Sequence, residues 1–285
     1  MRTAPSPTTD PAARSVRPVH VPVDPPAETL LEVRDLRKQY ATQSGEPVVA
    51  LDRTSVTLRH EEFVSILGPS GCGKTTLLKI LGGIVPYETG TILFRGRPLQ
   101  GPQSGMGIVF QSPVLLPWLT ILDNVLLPVR VLRLGRANYV DRARQLLHLV
   151  GLDGFQDKYP GELSGGMQQR AAIVRALIHD PQMLLMDEPF GALDALTRER
   201  MNAELQRIWL AQRKTVFLIT HSIVEAAFLS DRVLVMSPRP GRIVEEVAVD
   251  FSRPRAVELM GTAEFGQLTI RLRHLLGSGD AGAQF

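Results

Sequence analysis

Residues 68–76 read Gly68-Pro69-Ser70-Gly71-Cys72-Gly73-Lys74-Thr75-Thr76. An apolar run at 63–67 precedes this stretch, and a helix-like apolar pattern at 77–81 follows it. The sequence therefore predicts a glycine-rich loop between a buried strand and a helix. Glycines adopt backbone angles closed to other residues, so they can turn successive N–H groups toward one anion. The helix N-terminus adds partial positive charge at the same point, which predicts a loop that cradles phosphate.

Two side chains inside this loop fit the same chemistry. Lys74 supplies a positive charge for the outer phosphates of a nucleotide, and the hydroxyl of Thr75 suits Mg²⁺. The spacing matches the pattern G-x-x-x-x-G-K-[ST], in the strand-then-helix context that this pattern requires. The alternative interpretation is a glycine-rich turn that binds nothing.

A second motif places two carboxylates next to each other at the end of a predicted strand. Residues 183–189 read Met183-Leu184-Leu185-Met186-Asp187-Glu188-Pro189. Strand ends in parallel sheets are where ligands bind. Asp187 is placed to hold Mg²⁺, and Glu188 is placed to take a proton from the attacking water or to orient it. The alternative is a solvated strand end with incidental charges, and the pairing with the phosphate loop argues against it.

The order of apolar runs predicts an α/β protein with a β-rich N-terminal part, a mostly parallel core sheet and a helical insertion. The N-terminal β part is expected to be antiparallel. The predicted strands are 30–36, 48–58, 63–67, 90–94, 106–110, 182–187, 215–219, 232–236 and 243–249. The predicted helices are 74–82, 120–150, 165–179, 195–212, 222–230 and one within 255–276.

Three segments are expected along the chain. Residues 1–28 contain seven prolines and no apolar run typical of a secretory signal, which predicts a disordered arm. Residues 29–250 are predicted to form the α/β unit, with a helical subdomain at about 112–180. Residues 251–285 are predicted to be a C-terminal helical appendage.

Composition limits the function classes. The chain has 285 residues, 44% of them hydrophobic and 21% charged, with a formal net charge of only +3, so no nucleic-acid partner is expected. Cys72 is the sole cysteine, which excludes an internal disulfide and a multi-cysteine metal site and makes the cytoplasm the default compartment. The apolar stretch 113–134 is interrupted by prolines and charges, which argues against a membrane-spanning helix.

Between the two motifs lies the sequence Leu163-Ser164-Gly165-Gly166-Met167-Gln168-Gln169-Arg170. In this the chain resembles the ATP-binding cassette of ABC transporters, whose signature sequence it matches. Ser164 is predicted to cap the following helix, and the two glycines let backbone amides approach a second anion. The local alternative is an ordinary capped helix. The resemblance implies two copies arranged head to tail, with each signature closing over the nucleotide of the other copy.

The resemblance covers about residues 30–250 and assigns roles one by one. Tyr40 would stack on adenine, Gln111 would sense magnesium or water, Asp194 would act across the dimer, and His221 would contact the terminal phosphate. The structural alternatives are a half-buried tyrosine, a polar strand end, a helix N-cap for Asp194 and an ordinary structural histidine. Together with the two motifs, it places nucleotide contacts at Tyr40, Gly68, Pro69, Ser70, Gly71, Cys72, Gly73, Lys74, Thr75, Thr76, Ser164, Gly165, Gly166, Gln168 and Asp194. It gives magnesium contacts to Thr75, Gln111 and Asp187, and catalytic roles to Glu188, His221 and Gln111.

The implied function is an ATPase that uses ATP and Mg²⁺ to power an importer. Leu115, Leu116, Trp118 and Leu119 lie in a proline-broken segment beside Gln111 and would either dock a membrane subunit or fill the helical subdomain. The wording of residues 117–125 and 236–243 resembles the importer branch for nitrate, sulfonates such as taurine, and bicarbonate. Expected partners are a second copy, two membrane permease subunits and, indirectly, an extracytoplasmic solute-binding protein, at the cytoplasmic face of the plasma membrane.

Rival classes fit less well. About ninety residues between the phosphate loop and the signature cannot hold the long coiled coil of a DNA-repair cassette. A translation-associated protein of this family would carry two cassettes in tandem. A regulatory ATPase that uses ATP only to dimerise stays open, although Glu188 and His221 argue against it.

Overall fold

The structure is a computed structural model that describes residues 28–42, 45–191 and 193–280. The predicted disordered arm at 1–28 lies outside these residues except for its last position. The C-terminal residues 281–285 also lie outside them.

Ten strands form two sheets in the described part of the chain. They are β1 (Thr29–Tyr40), β2 (Val48–Arg59), β3 (Phe63–Leu67), β4 (Thr89–Phe94), β5 (Arg97–Pro98), β6 (Met106–Val109), β7 (Met183–Asp187), β8 (Thr215–Ile219), β9 (Arg232–Met236) and β10 (Ile243–Ala248). The first sheet has the order β2-β1-β4-β5 and is antiparallel. This confirms the predicted antiparallel β part near the N-terminus.

The second sheet has the order β10-β9-β3-β8-β7-β6. All its pairs are parallel except β10 with β9, which confirms the predicted mostly parallel core. Every residue of β3 and β8 is buried, as expected for central strands covered on both faces. Parallel strands end at one edge of the sheet, so the residues that follow β3, β6, β7 and β8 are brought close together.

Eight α-helices accompany the sheets among the described residues. They are α1 (Lys74–Leu81), α2 (Ile121–Val125), α3 (Leu127–Val131), α4 (Val140–Leu149), α5 (Gly165–Leu177), α6 (Ala195–Gln212), α7 (Ile223–Leu229) and α8 (Ala263–Asp280). Helices α2 to α5 form the predicted helical insertion, which contacts the core through buried residues such as Ile121, Leu147 and Ile173.

The prediction of one helical stretch over 120–150 is wrong in detail. The segment contains α2, α3, a short 3₁₀ turn at Arg136–Tyr139 and α4. Pro128 sits in the first turn of α3, where its missing N–H and fixed φ are tolerated. Gly135 has a φ of 78°, which ends the helical path before α4 begins.

The C-terminal part of the chain packs on the core. Helix α8 buries Phe265 and Leu272 in the same apolar cluster that holds β7 and β8. The Arg255 side chain is buried and donates to the carbonyl oxygens of Phe228 and Ser230 at the end of α7. Within the described residues, no helix is both long enough and apolar enough to cross a bilayer.

Candidate nucleotide-binding site

The phosphate loop connects β3 to α1, as the sequence predicts. Gly73 is the N-cap of α1 and has a φ of 107°, a left-handed conformation that favours glycine. A Cβ at this position would lie 2.7 Å from the carbonyl oxygen of Ala50, so the loop also needs glycine for close contact with β2. No side chain caps the start of α1, so its first backbone N–H groups are available to bind an anion in the loop.

Lys74 and Cys72 lie at the base of this loop. The Nζ of Lys74 donates to the carbonyl oxygens of Gly68 at 2.7 Å and Pro69 at 2.9 Å, which holds the ammonium against the loop. The Cys72 side chain is buried in the apolar core beneath the loop. The predicted nucleotide contact at Cys72 can therefore be made only by its backbone, because its side chain faces the core.

Asp187 and Thr75 meet at the edge of the sheet. Asp187 is the last residue of β7, and its Oδ1 accepts a hydrogen bond from the hydroxyl of Thr75 at 3.2 Å. Burial raises the pKa of Asp187, and the negative charge of Glu188 adds to this effect. The Thr75 hydrogen bond and the positive charges of Lys79 and Lys74 act in the opposite direction. A partly buried carboxylate beside a hydroxyl is an oxygen donor set that suits a hard cation.

Glu188 contacts side chains that follow the two strands on either side of β7. It follows β7 directly, with a φ of 44° that is uncommon for a residue with a side chain. Its Oε2 accepts from Nε2 of Gln111 at 3.3 Å and lies 3.2 Å from Nδ1 of His221. Gln111 follows β6 and His221 follows β8, so the sheet order β8-β7-β6 brings the three predicted catalytic residues together.

A cavity of about 290 Å³ runs from this cluster along the phosphate loop to β1. It is lined by Tyr40, Val48, Ala50, Ser70, Gly71, Gly73, Lys74, Thr75, Thr76, Glu188 and Arg239. Tyr40 ends β1 and is 41% exposed, so its ring is available for stacking. The Nζ of Lys38 lies 5.0 Å from the centroid of that ring.

The signature residues lie outside the lining of this cavity. Ser164 is exposed and caps α5, accepting from the backbone N–H of Met167 at 3.4 Å. Side chains at Gly165 and Gly166 would meet no atom within 4 Å, so the N-terminus of α5 is open. Gln168 donates to the carbonyl oxygens of Pro160 and Leu163, which fixes the turn before the helix.

Asp194 has the helix-capping contact that the sequence left as an alternative. Its Oδ1 accepts from the backbone N–H of Thr197 at 3.0 Å, at the start of α6. The side-chain and backbone hydrogen bonds of Thr197 lower the pKa of Asp194. The Asp194 carboxylate is also exposed, which leaves it accessible to a second chain.

Three residues near the site were not singled out by sequence reasoning. Arg239 lines the cavity, and Glu225 is buried in the first turn of α7. Asn124 is buried and bonds four times to the backbone of 116–120, a segment that follows Gln111 closely in the sequence. Arg239 contacts Gly71 across a long separation in the sequence, whereas the bonds of Asn124 are local.

Comparison with known proteins shows the family of the chain. The family model for the ABC transporter matches residues 51–191. An ABC transporter ATP-binding protein of Methanocaldococcus jannaschii is 47% identical over 225 residues, covering 79% of this chain and 84% of that protein. The taurine import ATP-binding protein TauB of Rhizobium johnstonii is 46% identical over 254 residues, covering 87% of this chain and 97% of that protein.

Solved structures show the same fold. A bacterial ABC transporter cassette solved as a dimer has a TM-score of 0.68 and 31% identity, covering 78% of this chain and all of that chain. The same cassette was also solved in a post-hydrolysis state bound to ADP and Pi, with a TM-score of 0.67. The chain described here belongs to the ABC transporter family and is one of its ATP-binding cassettes.

Proposed function

We propose that this chain is the ATP-hydrolysing subunit of an importer for a small sulfonate-like solute. The observation that carries the proposal is the convergence of Gln111 and His221 on Glu188, at one end of a cavity whose walls include the phosphate loop. Phosphate binding alone would need the loop but not this group of three side chains. Their arrangement supports hydrolysis of the bound nucleotide.

The chemistry assigned to these residues follows from their positions. Glu188 accepts a proton from the attacking water or orients it, and the Gln111 amide and His221 ring hold its carboxylate in place. Lys74 and the amides at the start of α1 bind the phosphates, and Tyr40 stacks on the base. Nothing in this scheme requires a covalent intermediate.

Mg²⁺ fits the oxygen donors beside the loop. Thr75 and Asp187 would hold it, with Gln111 nearby, and burial of the Asp187 carboxylate favours a cation partner. When bound, the ion would neutralise charge on the phosphates.

A second copy of the chain is the proposed partner at the nucleotide. The open N-terminus of α5, with Ser164 exposed, is an anion site without a role in the cavity of its own chain. A head-to-tail pair would place it over the phosphates of the other copy. The cassette that was solved as a dimer supports this arrangement.

An apolar groove supplies the proposed docking surface for the permease. This docking groove has a volume of about 500 Å³ and includes Val114, Leu116, Leu127, Val131 and Arg175 in its walls. Phe110 lines it and directly precedes Gln111, so a docked segment would contact the chain neighbour of the residue that bonds Glu188. We assign it to a short helix of a membrane permease subunit, because the relatives are import proteins.

The exposed apolar side chains support this docking only in part. Trp118 is 70% exposed, at the tip of the loop beside the groove, and Leu116 lines the groove itself. Leu115 instead packs against the core of the helical subdomain. Of the residues predicted either to dock a membrane subunit or to fill the helical subdomain, Leu116 and Trp118 are therefore placed for docking, whereas Leu115 belongs to the core.

Taurine or a related sulfonate is the proposed solute, since relatives at 44–48% identity are named as taurine importers. Two permease subunits would carry it across the membrane, and an extracytoplasmic binding protein would deliver it. The chain would then lie at the cytoplasmic face of the plasma membrane, attached through the permease.

The test combines purified protein with growth. ATP turnover of the purified chain should fall to background in Lys74→Ala, because the loop loses its lysine. Cells that carry only Lys74→Ala or the groove variant Val131→Glu should fail to grow on taurine as the sulfur source and should grow normally on sulfate.

The groove variant also tests the regulatory alternative. Val131 is 71% exposed, so Val131→Glu should leave the fold and the ATPase of the isolated chain intact while taurine uptake is lost. If uptake of taurine, nitrate and bicarbonate all persisted in Lys74→Ala cells, the chain would not power these importers, and the regulatory ATPase would be favoured.

A further inference from the structure

The loop between β9 and β10 is pressed against the phosphate loop. The backbone N–H of Gly241 donates to the carbonyl of Ala50 at 3.0 Å, and the carbonyl of Gly241 accepts from the N–H of Asp52 at 3.1 Å. A Cβ at Gly241 would lie 2.1 Å from the carbonyl oxygen of Cys72. Only a glycine allows the two backbones to come this close, so residues 237–242 form a wall of the cavity beside the phosphate loop.

Arg239 extends from this wall into the nucleotide cavity. Its Nε and Nη2 donate to the carbonyl oxygen of Gly71 at 3.2 and 3.1 Å. These two bonds hold the plane of the guanidinium over the phosphate loop. In the described part of the chain, no carboxylate lies within 4.0 Å of Arg239, whereas Arg242 of the same loop pairs with Asp52.

The charge of Arg239 is therefore free to act on a ligand. A carbonyl oxygen satisfies two of its five N–H donors but does not neutralise a full positive charge. The guanidinium group binds phosphate oxygens through paired donors and is suited to this recognition. The cavity lining has two positive residues, Lys74 and Arg239, and one negative residue, Glu188.

We propose that Arg239 is a second cationic contact for the phosphate chain of a bound nucleoside di- or triphosphate, in addition to Lys74. The inference rests on the proposed nucleotide site. Arg239 binds the phosphates from the cavity wall beside the loop, and the Gly71 carbonyl keeps its guanidinium oriented for this contact. Its positive charge attracts the phosphates, in addition to any support that Arg239 gives to the loop.

The experiment measures ATP and ADP affinity of the full chain by titration at low and high salt. Arg239→Gln should weaken both affinities about tenfold, the effect of losing a charge-assisted hydrogen bond. Arg239→Lys keeps the charge and should recover most of the loss. The affinity of Arg239→Gln should also fall less steeply with salt than that of the wild type, because one ion contact is missing. Arg242→Gln is the matched control and should bind as the wild type does.

Two results would overturn the proposal. One is wild-type affinity in Arg239→Gln. The other is an equal loss in Arg239→Gln and Arg239→Lys with an unchanged salt dependence, which would mean that Arg239 only supports the loop. Lys74→Ala is measured alongside. Retained ATP binding in Lys74→Ala would refute the nucleotide site itself, a result that is distinct from failure of the Arg239 contact.

Discussion

Glu188 is the residue on which the proposed chemistry depends most. Its left-handed backbone angle is costly for a side-chain residue, and Gly191 donates its N–H to the Glu188 carbonyl at 3.0 Å in the turn that follows. The result is a carboxylate fixed against Gln111 and His221. Strain at a residue with these contacts fits a site that is organised before its ligand arrives.

Replacing this carboxylate by its amide tests its role. Glu188→Gln keeps the shape and should slow ATP turnover by on the order of 10²–10⁴, because the group that accepts or orients a proton is lost. ATP affinity should remain close to that of the wild type. Glu258→Gln, at an exposed position of the C-terminal segment, is the control and should leave turnover unchanged. Turnover of Glu188→Gln within threefold of the wild type would remove the assigned role.

Glu225 predicts a pH dependence of stability. Burial raises its pKa to about 7, with the negative charge of Glu188 adding to the shift. A Thr220 hydrogen bond and the charge of Arg198 oppose it. The folded protein therefore keeps this proton up to about pH 7, whereas the unfolded chain loses it near the ordinary glutamate pKa. Its contribution to stability falls as the pH rises through this window and stays low above it.

Glu225→Gln removes this titration, so the variant should gain stability relative to the wild type as the pH rises. The gain should approach on the order of 3 kcal/mol above pH 8 and shrink toward pH 5. Thermal unfolding of both proteins at pH 5, 7 and 8.5 measures the difference. A difference that does not change with pH would show that Glu225 has an ordinary pKa in the folded protein.

The sequence predicts site residues well where the pattern is local. Lys74, Thr75 and Asp187 follow from short motifs, and the structure brings them together. Arg239 contacts Gly71 across a separation of 168 residues, so no short motif reveals it. The assigned roles of these residues remain predictions until the variants are measured.

At the scale of elements, Asn124 holds the loop that carries Trp118. It lies in α2, is fully buried, accepts from the N–H of Leu116 at 2.7 Å and donates to the carbonyls of Leu116, Leu119 and Thr120. The carbonyls of Leu116 and Thr120 also accept from backbone N–H groups. The N–H of Leu116 and the carbonyl of Leu119 have no such backbone bond among the described residues, so the Asn124 side chain is what pairs them.

Asn124→Ala leaves the N–H of Leu116 and the carbonyl of Leu119 without partners and should reduce the free energy of unfolding by about 2 kcal/mol. Hydrogen exchange should increase in residues 115–125 before it increases in the core sheet. Urea unfolding with Asp141→Ala, an exposed position on α4, provides the control, which should change by less than about 0.5 kcal/mol. Equal stability of the two variants would contradict the bracing role.

Helix α5 joins the signature to the segment around Gln111, residues 110–114. Its first turn carries Gly165 and Gly166, while Gln169 donates to the carbonyl of Phe110 at 3.4 Å. Arg175, near its end, donates to the carbonyls of Pro113 and Val114, both at 2.7 Å. A movement of the signature would therefore reach the residues beside the docking groove through one rigid helix.

The sequence predicted the strands of the core better than the helical subdomain. The strands are short apolar runs with turns on either side, and their limits depend on local residues. The break of 120–150 into separate helices also has local causes, Pro128 and Gly135, but the paths of the pieces depend on tertiary packing. Helix α8 extends to Asp280, beyond the predicted limit of 276.

For the whole molecule, the position of the site follows from strand order. The sheet places β6, β7 and β8 side by side and puts β3 next to β8. The phosphate loop and three side chains from distant parts of the sequence then meet at one edge. The signature lies outside the cavity lining of the same chain, and in the proposed head-to-tail pair a second copy would complete the site.

The central claim is that two copies enclose the nucleotide, and the mass of the nucleotide-bound protein tests it most directly. Glu188→Gln with ATP and Mg²⁺, examined by size-exclusion chromatography with light scattering, should have twice the mass of one chain. Adding Ser164→Arg should return it to the monomer mass while ATP binding and folding persist. A strictly monomeric Glu188→Gln protein with ATP bound would contradict the account.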